Sequence, residues 1–167
     1  MPTMYQATVP ALLQTLNAMA KILDKAAADA EARKIDPAVL LGYRLAPDMF
    51  NLTRQVQTVS DFAKGTVARL AGLEPPKYED SEKTIPELKA RIAKTIAFVQ
   101  GIKPGQIDGS ETRDITIPVG GQPRSFKGLD YLTGFALPNF HFHATAAYAI
   151  LRHCGVNLGK RDFLNWT

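Results

Sequence analysis

A single cysteine, Cys154, stands among 167 residues. It has no partner for an internal disulfide, so nothing requires an oxidising compartment. Histidine is scarce as well: His141, His143 and His153 are the whole complement, all in one stretch, LPNFHFHATAAYAILRHCGVNLGK. No apolar run approaches the length of a membrane span. The opening residues, MPTMYQATVPALLQTLNAMAKIL, carry no positive charge before their apolar part, and the first lysine is Lys21. A secretory leader is therefore not expected, and a soluble cytoplasmic protein without a membrane partner is. A concentrated basic patch is also missing. The net charge is +4 and the pI about 9.2. Yet Lys21, Lys25, Arg33, Lys34, Arg54, Lys64 and Arg69 are scattered among acids, and the densest pair, Lys160-Arg161, has Asp162 beside it. A nucleic-acid partner is not expected from so diffuse a pattern.

What the chain does have is an ordinary globular composition, 46% hydrophobic and 22% charged. Its length suits one domain, residues 1–167, with a proper core. Helical periodicity dominates. Val9, Leu12, Leu13, Leu16, Met19, Leu23 and Ala27 predict an amphipathic helix over about 5–34, with Pro10 in its first turns. A connection with a short helical turn follows, punctuated by Pro37, Gly42 and Pro47. A second helix is expected over about 47–71, opened by Pro47 and Asp48, with Met49, Leu52, Val56, Val59, Phe62, Ala63 and Leu70 on its apolar face. After a loop with two adjacent prolines, the pattern Thr84-x-x-Glu87 with Pro86 reads as a capped start. It opens a third helix to about 100, burying Leu88, Ile92, Ile96 and Val99.

The period then changes. Ile115, Ile117 and Val119 alternate with polar residues, break at Gly120-Gly121 and resume towards Phe126, which predicts a small β-hairpin. Pro118 and Pro123 confine it to an edge or an isolated ribbon. A fourth helical region runs from 129 to about 154, with Pro138 as a kink or restart and Gly155 as the stop. The fold expected is all-α: a four-helix bundle with a small hairpin between helices three and four. The connections are long enough for crossovers.

On the fourth helix, Thr145, Tyr148 and Arg152 fall within about 40° of His141, forming a polar stripe. His143 points about 200° away, near Ala147, Ile150 and Cys154. Ala146, Ala149 and His153 make a third, small-residue side. The helix is apolar nearly all round, so it is expected to be the most buried of the four. Chelation by two histidines of one helix wants i, i+4 spacing, and Thr145 and Ala147 stand at those positions. No metal site is therefore expected from histidines alone; a metal would need carboxylate or amide partners such as Asp48, Gln55 or Asp61. Either His143 is a hydrogen-bonded interior histidine or it lines a small-molecule pocket. The stripe is either a polar seam or a pocket wall in which Arg152 receives an anion. Cys154 reads as a small core residue. GVNLGK lacks the spacing and the strand-to-helix setting of a phosphate loop, and PVGGQPR reads as a turn.

Three blocks, LAPDMFNLTRQVQ, LPNFHFHATAAYAILR and GVNLGKRDFL, resemble a family of uncharacterised bacterial proteins within the DinB/YfiT-like superfamily. The resemblance spans nearly the whole chain. It implies a four-helix bundle with crossover topology and frequent dimerisation, hence a homodimer here. In that superfamily a divalent metal is held by one histidine of helix two and an HxxxH pair of helix four, and some members are thiol-dependent transferases. Only His143 matches that pattern; helix two carries Gln55 and Gln57. The functional expectation is a pocket near helix four for a small organic or anionic ligand. His143 would orient it or move a proton, Arg152 would pair with an anion, and Tyr148, His141 and Asp48 would complete the candidate set. Asp48 alternatively serves only the helix N-terminus. No cofactor is expected. Two other readings stand beside this one: a metal-dependent transferase or hydrolase with non-histidine ligands, and a non-catalytic dimerisation module.

Overall fold

Helix α1 (Met4–Arg33) begins at a reciprocal cap: the Thr3 hydroxyl accepts from the Gln6 backbone N–H, and the Gln6 side chain accepts from that of Thr3. The helix passes through Pro10 and ends at Lys34, whose φ of 56° turns the chain away. The structure, a computed structural model, describes residues 2–166. Helix α2 (Pro37–Gly42), capped by Asp36, is the short turn anticipated in the connection.

Helix α3 (Leu52–Leu70) starts later than Pro47. The Asn51 side chain accepts from the Arg54 N–H at 2.9 Å and caps the helix, while Pro47 lies in a turn closed by the Met49 N–H donating to the Ala46 carbonyl at 3.0 Å. Asparagine wins because its oxygen satisfies a free helical N–H, whereas proline only presets φ. Asp48 is thus an exposed loop residue with no helix terminus to serve, and Met49 lies outside the helix.

Helix α4 (Ile85–Gly101) opens on the Thr84–Glu87 capping box with Pro86 in its first turn, as the sequence indicates. A short helix α5 (Pro104–Ile107) and a single 3₁₀ turn (Ser110–Thr112) lead into the hairpin. Strands β1 (Asp114–Val119) and β2 (Gln122–Lys127) pair antiparallel around Gly120-Gly121, both at positive φ. Pro118 faces Pro123 across the ladder. Their pair is one rung in from the turn, where neither N–H is needed for pairing. Ile115 and Ile117 point into the core.

Helix α6 (Gly128–Tyr131), a π-helical turn (Leu132–Ala136) and helix α7 (Leu137–His153) form one continuous run. Pro138 does not stop it; α7 restarts beside it, at Leu137. The proline falls in the first turn of α7, and the wider π turn takes up the register its missing N–H would have occupied. Gly155, at φ 88°, follows the end of α7, and helix α8 (Lys160–Phe163) lies against α1.

The main packing is α3 on α7, with α4 bridging α1 and α3, and α1 touching α7. Leu16, Ile22, Val56, Val59, Ile92, Phe140 and Ile150 fill the space between them with no measurable exposure. Contrary to the apolar count, α3 is buried more completely than α7. Helix α3 is covered by α7, α4 and the 73–83 loop, whereas one side of α7 (His141, Phe142, Thr145) has no element packed over it.

Candidate functional site

Gln55 is a polar residue on the apolar face of α3, three positions after Leu52 and one before Val56, and it is 1% exposed. A buried amide must place both its ends. Its Nε2 donates to the Phe50 carbonyl at 3.2 Å, and its Oε1 lies 2.7 Å from Nδ1 of His143 on α7. Because a backbone carbonyl can only accept, the amide must turn its NH₂ to Phe50 and its oxygen to the imidazole. His143 therefore carries its proton on Nδ1, and Nε2 keeps a lone pair. That nitrogen has no hydrogen-bond partner among the described residues.

Aromatic rings flank the imidazole. Phe50 lies nearly parallel to it, with centroids 6.1 Å apart and planes at 17°, and Phe62 does the same at 5.7 Å and 19°. Phe142 adds an edge contact at 5.2 Å. Burial, followed by the positive charge of Arg54, pushes the His143 pKa below its ordinary value. The ring is accordingly neutral at neutral pH, half-buried, and available as a base or hydrogen-bond acceptor through Nε2.

Arg54 is itself held in place. Its guanidinium sits over the Phe50 ring at 5.7 Å and pairs with Asp80. Behind it, Arg91, with a side chain only 2% exposed, bridges Asp61 at 2.8 Å, Asp80 at 3.0 Å and Glu82 at 3.1 Å. Gln57 donates to Glu82 at 2.8 Å. Lys64, Arg91 and Lys94 all approach the face of Tyr78. This network ties the 78–82 segment to α3 and α4, and so fixes the charge that acts on His143.

The other candidates lie apart from His143. His141 and Thr145 line a shallow groove of about 420 Å³ with Leu45, Met49 and Phe142, where desolvation pushes the His141 pKa down. Tyr148 packs edge-on against Phe163 of α8, with centroids 5.6 Å apart. Arg152 is exposed in the last turn of α7, where a cation suits the helix dipole. Asp48 is exposed in its loop and makes no ion pair with Arg152. His153 leans on Tyr43 at 5.4 Å. The stripe His141–Thr145–Tyr148–Arg152 thus serves three environments and not one pocket wall. Cys154 is half-buried, and burial pushes its thiol pKa up, the opposite of an activated nucleophile.

The donors do not fit a three-histidine metal centre. His143 offers one free nitrogen, Gln55 is committed to Nδ1, and one turn along α7 stands Ala147, which has no donor. Among the described residues no group of three His, Cys, Asp or Glu side chains is placed to hold a metal ion. Of the three non-histidine partners considered for His143, it is Gln55 that reaches it. Phe50, Phe62 and Arg54 were not anticipated from the sequence. The one available signal was Gln55 itself, a polar residue in an apolar helical stripe.

Residues 4–164 match the family described as Domain of unknown function (DUF1993). Among solved structures, the chain is similar to that of a DinB family member protein from Shewanella denitrificans, with 43% identity and a TM-score of 0.90. The alignment covers 96% of this chain and 90% of that one. Among curated proteins, none matches.

Proposed function

The chain belongs to the DUF1993 family, a DinB-like family of unknown function, and from that premise we propose that it binds a small organic molecule at His143. The ligand gives a hydroxyl, thiol or amine hydrogen to Nε2 and lays an apolar part against Phe50 or Phe62. The observation that carries this reading is the Gln55 amide. It spends both of its ends holding one tautomer of one histidine, and the nitrogen left over is the basic one. Nε2 is not among the buried, unpartnered side-chain atoms, so it is open to a hydrogen bond from outside the protein. In chemical terms Nε2 either accepts a ligand hydrogen bond or removes a proton, and depression of its pKa keeps it in the form that does so at neutral pH.

The test is a thermal-shift screen of small uncharged alcohols, thiols and amines against the wild-type chain, His143→Ala and His141→Ala. A stabilising compound should lose its effect in His143→Ala and keep it in His141→Ala. Hits that are indifferent to His143 would refute the reading.

Two further features belong to this proposal. We infer that residues 1–167 form one bundle domain with a crossover, since α1 packs chiefly on α4 and only lightly on α3, the long helix that follows it in the chain. We also infer a homodimer through the uncovered side of α7. Phe142 is 57% exposed and Leu45 42%, and both line the apolar groove beside His141. Phe142→Glu should then convert a dimer to a monomer in light scattering; a wild-type monomer would refute it. No described helix is long and apolar enough to cross a membrane.

A further inference from the structure

Gln55, Phe62 and Arg69 are spaced seven residues apart and share one line along α3. Gln55 serves His143 at one end. Arg69 stands about 21 Å further along the helix axis, in a cleft between α3, the 73–78 segment and β1. The cleft has two chambers that share Asp61, Arg69, Ile117 and Pro118. The smaller one, about 200 Å³, is open to solvent and flanked by Phe62 and Phe135, whose ring centroids lie 5.9 Å apart. The larger one, about 620 Å³, adds Lys64, Glu74 and Lys77.

The charges in this cleft are unequal. Asp61 is matched twice, by Lys64 at 2.9 Å and by Arg91 at 2.8 Å. Among the described residues Arg69 pairs with no carboxylate; its guanidinium donates a hydrogen bond, at 3.3 Å, to the hydroxyl of the buried Tyr131. A guanidinium carries five N–H donors in a planar fork that matches a carboxylate. Its placement is also prepared by the helix. It folds back over Gly65, one turn earlier, where a Cβ would stand 2.5 Å from Nη1.

The geometry points to a second binding site, centred on Arg69 and on the far side of Phe62 from the His143 ligand, for a small organic acid: a monocarboxylate with a flat or compact apolar body. Its carboxylate pairs with Arg69 and its body enters the chamber between Phe62, Phe135, Ile117 and Pro118. A volume of about 150 Å³ is enough to hold a benzene ring, so the smaller chamber, at about 200 Å³, has room for one. The Arg69 guanidinium, unpaired with any carboxylate, favours an anion, and the phenylalanine walls favour an acid that carries apolar surface.

The experiment is titration of the full chain with benzoate, phenylacetate, indole-3-acetate and hexanoate, with acetate and inorganic phosphate as controls, followed by calorimetry and by the Arg69 Nε–Hε signal in NMR. At least one of the four acids should bind saturably, move that signal and compete with the others. Arg69→Gln should weaken it by about ten- to a hundredfold, the worth of a charge-assisted pair. Gly65→Ala supplies a variant that keeps the charge but displaces it. Alanine is the better helix former and meets nothing there except the Arg69 side chain, so this variant folds and should also bind more weakly. Arg152→Gln should bind normally. The proposal is overturned by no saturable binding of any of the four acids, by equal affinity in Arg69→Gln or Gly65→Ala, or by acetate or phosphate binding as tightly as the apolar acids.

Discussion

Replacing Gln55 by leucine asks whether one buried amide sets the protonation of His143. The substitution removes two hydrogen bonds, from Nδ1 of His143 and to the Phe50 carbonyl. Each is worth about 1 kcal/mol net. Phe50 is itself 47% exposed, so the loss is taken at the value of an ordinary hydrogen bond and not at the larger penalty for a deeply buried acceptor. Leucine at so buried a position returns a fraction of a kcal/mol in apolar burial. The balance is a loss of about 1–2 kcal/mol, which for a chain of this size lowers Tm by about 2–8 °C. The more specific readout is the tautomer. Long-range ¹H–¹⁵N NMR of the wild-type protein should find the His143 proton on Nδ1, and in Gln55→Leu it should distribute over both ring nitrogens. A wild-type proton on Nε2, or a tautomer indifferent to the loss of Gln55, would refute the reasoning whatever the melting temperature does.

Three other outcomes are expected. His143 and His141 both have pKa values pushed below the ordinary value near 6.5; the unfolded chain therefore takes up protons first as pH falls, so stability is full above about pH 6.5 and declines below it. Urea midpoints measured from pH 7.5 to 5 should fall with acid, less steeply in His143→Gln, and a midpoint that rises on acidification would contradict this. Arg91→Met strands Asp61, Asp80 and Glu82 without their shared cation, though the two aspartates are more than a third exposed and can rehydrate. A loss of about 2–4 kcal/mol in denaturant titration is expected, together with faster proteolysis in the 78–82 segment. Gly72 holds a φ of 71°, and a Cβ there would meet the Arg113 guanidinium. Gly72→Ala should cost about 1–2 kcal/mol, whereas Gly120→Asn in the hairpin turn should be nearly silent.

Much of the scaffold was legible because it rests on local rules. The capping box at Thr84–Glu87, the stop at Gly155 and the Gly120-Gly121 turn each satisfy backbone groups within a few residues, so a short window of sequence contains the whole cause. The start of α3 was misplaced because Pro47 and Asn51 are both plausible openings, and the difference between them is one hydrogen bond to the Arg54 N–H. The burial of α7 was overestimated because side-chain apolarity says which faces seek cover, not which ones receive it.

The sequence by itself determined the helices, the hairpin and the absence of an i, i+4 histidine pair, since these follow from periodicity and spacing along one element. Tertiary structure alone decided which partners those residues meet. Gln55 and His143 are 88 positions apart and touch only because α3 packs on α7. The polar stripe of α7 divides among a groove, helix α8 and solvent for the same reason. Arg69 is one cation among many in the chain, and it stands out only once the fold has paired Lys64 and Arg91 with Asp61 and left its guanidinium facing an aromatic chamber. Whether a charge is compensated depends on contacts made across the fold, and no helical period records them.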